Sequence, residues 1–434
     1  MPLAILVSDP LASMLLVLAL LWLAAKLGGE LAVRIKLPAV AGQIAVGVLL
    51  AALPRFFSNL SALPAWLGFL KSPDFLHFLN VAENPGAEVL SYIGIVLLMF
   101  MVGLESSVSQ MMKVGWASTR VAVVGVAGPM VLGLIVAFFL LPKDTSYAVD
   151  LFIGACLCAT SIGISASVLR ERNAATSGAG RVVIGAAVID DVLGLLVLVA
   201  VSGLALATAG GGTLPWGDLA KTLGLAFLFL AAALTLGRWL SPWIFAWAAR
   251  FKGEEILLPF ALAFAFVLAY LGSLVGLATI VGAYTAGLIL EHHHVGKLQE
   301  KENRSLEEMV QPVVSIFAPL FFVLTGASVE TSALLHPTTI TMALLLTVAG
   351  ILGKYVSGYA AGSGLSVPVI GWGMVPRGEV GLIFVSVGRS IQVNGHPLLS
   401  AEVQAGVLGA ILLTTIMGPI GLSWVLGRTK GRIK

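Results

Sequence analysis

Apolar runs of about twenty residues, following one another with only short polar connections, constrain this 434-residue chain more than any other feature. A helix rises 1.5 Å per residue, so about 20 apolar residues cross the hydrocarbon core of a bilayer. Thirteen such runs can be counted, over residues 11–32, 38–54, 88–106, 114–141, 147–170, 181–208, 217–246, 255–275, 277–291, 313–331, 337–360, 369–391 and 400–427. In lipid every backbone polar group needs a partner within the protein, and a run of this length meets that need as a helix. The expected fold is an all-α polytopic membrane protein of about 13 transmembrane helices, in a single domain over residues 1–434. The first run lacks a basic leader and a small-residue cleavage site, so it is expected to remain in the mature protein.

Composition excludes a soluble enzyme. The hydrophobic set makes up 58% of the chain and charged residues only 11%, where about 25% charged is usual for soluble domains. A net charge of +3 is too scattered to track a phosphate backbone, so nucleic acid is not an expected partner. Cys156 and Cys158 point to different faces of one helix and are read as packing residues. No metal cluster or cofactor motif occurs, and none is expected.

Orientation follows from Lys and Arg in the connections. With the N-terminus outside, sixteen basic residues fall on the inner side, among them Arg34, Arg172, Arg181, Arg250 and Arg428, and five on the outer side. An odd number of crossings then puts the basic tail in the cytoplasm, and a plasma (inner) membrane location is expected. The longest polar stretches are Arg55 to Ala87 and His292 to Gln311, which leaves no room for a soluble regulatory domain. Lys297 to Glu308 reads as a charged linker helix on the cytoplasmic surface, and His292, His293 and His294 as a surface cluster or a pH sensor.

The chemistry should sit with ionisable residues in mid-span, each costing roughly 2.5–3.5 kcal/mol on insertion scales. Five qualify: Asp190, Asp191, Lys354, Arg377 and Glu379. Their summed cost, roughly 12–17 kcal/mol, rivals the whole stability of a typical domain, so they are expected to face one another or a watery cavity. Asp190 and Asp191 diverge by about 100° on a helix and can both reach one cavity. When both are ionised they repel, which favours holding a proton or a small cation between their oxygens. Lys354 can neutralise one acid, and its proton becomes exchangeable if a cation takes that acid. Arg377 cannot release a proton at physiological pH, so Arg377 with Glu379 reads as a structural pair.

Two spans look broken. Thr160, Ser161, Gly163 and Ser165 interrupt one, and Pro376, Gly378 and Gly381 the other. Unwound backbone at membrane depth occurs where protein encloses it or where it lines a cavity, and interrupted segments in corresponding halves mark a transporter's midplane site. The order of motifs, LLMFMVGLE, CATSIGIS and VIDDVLG against PLFFVLTGASVE, GILGKYVSG and VPRGEVGLIF, suggests an internal repeat.

These segments, with GAYTAGLIL between them, resemble the membrane domain of the monovalent cation:proton antiporter-2 family, and within it the bacterial sodium/proton antiporters. The resemblance implies inverted repeats with two crossed discontinuous helices. It implies core helices over about 88–208 and 313–391, dimerisation or scaffold helices over about 11–54 and 217–291, and a homodimer in the bilayer. It implies Asp191 as the cation and proton carrier, Asp190 paired with Lys354, and Thr160 with Ser161 lending oxygen at the break. Arg377 and Glu379 would match an ion pair in the second broken helix. Members with both acids and the lysine are generally electrogenic, exchanging two protons for one cation; the potassium efflux members usually carry a cytoplasmic nucleotide-binding domain, which is not expected here, and this favours Na⁺ or Li⁺ as the ion transported at Asp190 and Asp191. Gln43 departs from the family pattern, which commonly has Glu there. A K⁺/H⁺ antiporter of the same family and a sodium-coupled solute symporter remain open alternatives. An intramembrane aspartyl protease does not fit two consecutive acids on one helix.

Overall fold

The structure is a computed structural model that describes residues 10–35, 37–59, 84–105, 115–142, 145–208, 216–251, 256–275, 277–290, 304–334, 336–393 and 395–428. In chain order its helices are α1 (Pro10–Arg34), α2 (Ala39–Asn59), α3 (Pro85–Glu105), α4 (Trp116–Leu140), α5 (Tyr147–Cys156), α6 (Ile162–Glu171), α7 (Gly178–Thr208) and α8 (Trp216–Ala248). They continue with α9 (Leu257–Leu274), α10 (Thr279–Ile289), α11 (Leu306–Ala327), α12 (Thr331–Leu334), α13 (Pro337–Ser357), α14 (Val367–Met374), α15 (Glu379–Ser390) and α16 (Ala401–Arg428). Each apolar run read from the sequence falls on a helix or on a pair of helices. Runs 147–170 and 369–391 are the two that split, into α5 with α6 and α14 with α15.

Among the described residues nine helices are long and apolar enough to cross a membrane, with four shorter apolar helices beside them. The balance of the thirteen thus rests on short elements, two of them halves of broken spans. The surface agrees with a lipid solvent. Leu23, Leu27 and Leu31 form one stripe of α1 and are 60%, 63% and 62% exposed, an arrangement that water would penalise and lipid tails do not.

Helix ends follow local chemistry. Ser146 caps α5 by accepting the Ala148 N–H at 3.3 Å. Ser305 and Glu308 form a reciprocal capping box, each taking the other's backbone N–H at 3.2 Å. That box corrects the sequence reading of this region: Glu307 and Glu308 are the first turn of the spanning helix α11, which starts at Leu306 rather than 313 and runs through Pro312 and Pro319. Residues 297–303 of the proposed linker helix, with His292, His293 and His294, lie outside the described residues.

The chain divides into two compact units. The smaller comprises residues 1–98 and 311–335. In it α1 and α2 approach so closely that a Cβ on Gly42 would lie 2.0 Å from the Gly28 carbonyl oxygen. Val17, Leu21 and Ala25 of α1 share a buried cluster with Leu320 and Val323 of α11, and the Trp22 Nε1–H donates to the Ile316 carbonyl at 2.8 Å. Gln43 is half-buried on α2, its amide nitrogen turned toward Gly29 of α1.

The larger unit comprises residues 99–310 and 336–434. Here α4 lies along α13, α5 and α7, and α13 also meets α16. The α4–α13 contact depends on glycine, because a Cβ on Gly128 would sit 2.6 Å from the Gly353 carbonyl oxygen. Val121, Val183, Ile370, Met374 and Leu422 fill a common core. A two-residue antiparallel hairpin, β1 (Gln392–Val393) with β2 (His396–Pro397), joins α15 to α16. Gly395 at φ 81° makes its turn. The sequence reading had no strand there, although Asn394-Gly395 is a strong short-range hairpin signal.

Candidate ion-binding site

The larger unit gathers four elements around one buried place: the α5–α6 break, the middle of α7, the last turns of α13 and the α14–α15 break. Asp190 and Asp191 lie midway along α7, 0% and 4% exposed. From α13, Lys354 Nζ donates to both carboxylate oxygens of Asp190, at 2.8 and 3.0 Å, and both side chains are fully buried. A two-pronged contact of this kind neutralises Asp190, and Asp191 lies about 100° around the same helix. A Cβ on Gly125 of α4 would lie 3.6 Å from both Lys354 Nζ and the terminal carbon of Met374.

The two breaks cap each other. After α14 the chain reaches Pro376, which has no N–H, and the unwound segment leaves the carbonyls of Gly373 and Met374 without helical donors. Hydroxyls from the other break take them: Thr160 Oγ1 donates to Met374 O at 2.9 Å and Ser165 Oγ to Gly373 O at 2.6 Å. The Ser161 N–H donates to Pro376 O at 2.8 Å. In return Arg377 Nη1 donates to Ala159 O, and Thr415 Oγ1 of α16 holds Arg377 O at 2.9 Å. Ser161 also lies tight against the second break, since a Cβ on Gly378 would meet its hydroxyl at 2.7 Å.

The structure therefore brings Thr160, Ser161, Asp190, Asp191, Lys354 and Arg377 into one buried region. Arg377 is fully buried, and its Nε and Nη2 have no hydrogen-bond partner among the described residues. Glu379 opens α15, but its side chain lies outside the described residues. The described bond of the guanidinium runs across to the first broken helix instead. Cys156 and Cys158 are buried free thiols, the latter turned toward Val126 and Gly154 carbonyls at 3.5 Å.

Three residues escaped the sequence reading. Ser165 was visible only as a helix interrupter, yet it lies one turn after Ser161 on the face that meets α14. Thr415 gave no signal, because a lone Thr in an apolar helix is ordinary. Asp150 was not singled out; it lies in the first turn of α5, is 5% exposed, and its Oδ1 has no hydrogen-bond partner among the described residues.

A model of the transmembrane sodium/hydrogen exchanger family matches residues 9–428. The high-affinity Na⁺/H⁺ antiporter NhaS3 of Synechocystis is 34% identical over 94% of this chain and 89% of its own length. The Na⁺/H⁺-K⁺ antiporter GerN of Bacillus cereus is 30% identical over 94% of this chain and 95% of its own length. The Na⁺/H⁺ antiporter of Enterococcus hirae is 29% identical over 94% and 97%. The fold matches that of the sodium proton antiporter MjNhaP1 from Methanocaldococcus jannaschii, with a TM-score of 0.69 and 17% identity over 98% of this chain and 100% of that one. The chain is a multi-pass membrane protein and belongs to the transmembrane sodium/hydrogen exchanger family.

Proposed function

We propose that this protein is a secondary antiporter that exchanges Na⁺ or Li⁺ for protons at Asp190 and Asp191, electrogenically and by alternating access. The observation that carries the reading is the fully buried, two-pronged contact of Lys354 with Asp190 beside a second buried carboxylate. In the proton-loaded state Lys354 satisfies Asp190, and Asp191 holds a proton. A cation that enters the carboxylate pair displaces the ammonium from Asp190 and the proton from Asp191. The displaced ammonium is then buried without a counter-charge, and losing its proton relieves that cost. Two protons leave for one cation, so one net charge crosses per cycle. That charge is worth about 2.3 kcal/mol per 100 mV, equivalent to about a 50-fold concentration ratio. Oxygen from Thr160 and Ser161 at the break completes the cation's surroundings, and Arg377 with Glu379 holds the second break.

The names of the relatives support Na⁺ as the cation. A K⁺/H⁺ exchanger is the second reading, favoured by the K⁺ in the name of the Bacillus cereus relative. The excess of basic residues on one side supports an inner-membrane orientation with the N-terminus outside and the C-terminus in the cytoplasm. We further propose a homodimer in which helices of about 11–54 and 217–291 form the scaffold, and those of about 88–208 and 313–391 the moving core.

The test is proton movement in liposomes holding the purified protein. Na⁺, Li⁺ and K⁺ are added in turn, with and without an imposed membrane potential, beside Asp191→Asn. Potential-dependent proton release with Na⁺ or Li⁺, absent from the variant, is the expected result. Release with K⁺ alone replaces the first reading by the second, and no release with any cation overturns both.

A further inference from the structure

Ser165 stands outside the set of residues assigned to ion binding, and its hydrogen bond is the shortest of those joining the two breaks at a hydroxyl. It is 1% exposed, and its Oγ donates to Gly373 O at 2.6 Å across 208 residues of sequence. Gly373 and Met374 are the last two residues of α14. Their carbonyls are the negative end of a half-helix that stops inside the protein before Pro376, with Gly373 packed on Val183, two turns before Asp190 on α7. Met374 belongs to that site by position, since its side chain and Lys354 Nζ approach the same point beside Gly125. Such carbonyl ends coordinate cations where nothing else takes them. Here two hydroxyls take them, Ser165 at Gly373 and Thr160 at Met374.

We propose that Ser165 is a positioning residue that sets cation affinity by occupying the Gly373 carbonyl, which holds down the negative potential that α14 presents to the site. The proposal rests on the antiport reading above and deepens it. Its consequence runs against ordinary damage. Removing the hydroxyl leaves that buried carbonyl without its donor, so the end of α14 presents a more negative potential to the site. Ser165→Ala should therefore bind the cation more tightly and release it more slowly. A neutral hydrogen bond has a net worth of about 0.5–1.5 kcal/mol, so the apparent KM should fall about 2- to 10-fold. The maximal rate should fall with it.

The experiment is the Na⁺ dependence of proton movement in liposomes at one fixed pH, for the wild type, Ser165→Ala and Ser165→Thr. The expected result is a lowered KM and lowered maximal rate for Ser165→Ala, with Ser165→Thr, which keeps the hydroxyl, close to the wild type. If Ser165→Ala does not reach the membrane, Ser165→Cys keeps the volume with a weaker donor and should shift KM in the same direction. An unchanged or raised KM in a folded variant, with the wild type active, overturns this proposal and leaves the antiport reading standing. A wild type that moves no protons with any cation overturns the antiport reading itself.

Discussion

Replacing Lys354 with Met removes one partner of a contact in which both side chains are fully buried and the nitrogen lies 2.8 and 3.0 Å from the two carboxylate oxygens. Breaking a buried pair from one side costs about 3–5 kcal/mol, because the other charge stays buried without its partner. Unfolding entropy of about 2.1 cal/mol/K per residue, over 434 residues, gives about 0.9 kcal/mol/K. The melting temperature should therefore fall by about 3–5 °C. Replacing both partners with apolar residues is often neutral, so Lys354→Met combined with Asp190→Leu should recover most of that loss while remaining inactive in transport. The assay is thermal unfolding of the detergent-purified protein followed by tryptophan fluorescence, on the wild type, both single variants and the double. A double variant less stable than either single one, or single variants as stable as the wild type, would refute the energetic role given to this pair.

Other expectations follow from single contacts. Gly128→Ala should lower the melting temperature and the yield of folded protein, because its methyl would lie 2.6 Å from the Gly353 carbonyl oxygen. Gly125→Ala, whose methyl would find only contacts at 3.5 Å and beyond, should fold normally in the same assay. Thr415→Val keeps the shape of the side chain but removes a hydroxyl shared between the Arg377 carbonyl at 2.9 Å and the Ile411 carbonyl at 2.7 Å, a loss of about 0.5–1.5 kcal/mol measurable as a lower melting temperature. Asp150→Asn should be at least as stable as the wild type. Burial costs a charged carboxylate more than a neutral amide of the same shape, which outweighs the at most about 1 kcal/mol that the charge gains from the helix N-terminus.

The helical fold was legible because its signal is redundant: each apolar run carries some twenty residues of the same character. The start of α5 was legible beside its Ser146 cap, whereas the Ser305–Glu308 cap of α11 was passed over. The start of α11 was placed at 313, although the helix begins at Leu306 and runs through Pro312. Proline is tolerated within such helices because neighbouring groups re-satisfy the backbone. The candidate site was legible as a list of costly residues. Asp190, Asp191 and Lys354 are each expensive alone in a span, and that expense marks them without an alignment. The mutual capping of the breaks was not legible. Thr160 and Met374 are 214 residues apart, and a hydroxyl that serves a distant carbonyl has the same local sequence as one that bonds within its own helix. The same holds for Arg377, whose obvious neighbour is Glu379 but whose described bond goes to Ala159.

Competition between cation and protons for one pair of carboxylates is the centre of this account, and proton release on cation binding tests it without the complications of flux. Na⁺ is added to weakly buffered, detergent-purified protein containing a pH indicator, beside Asp191→Asn. The account expects protons to appear in solution in proportion to bound Na⁺, with none from the variant. Na⁺ binding without proton release, or equal release from Asp191→Asn, would contradict it.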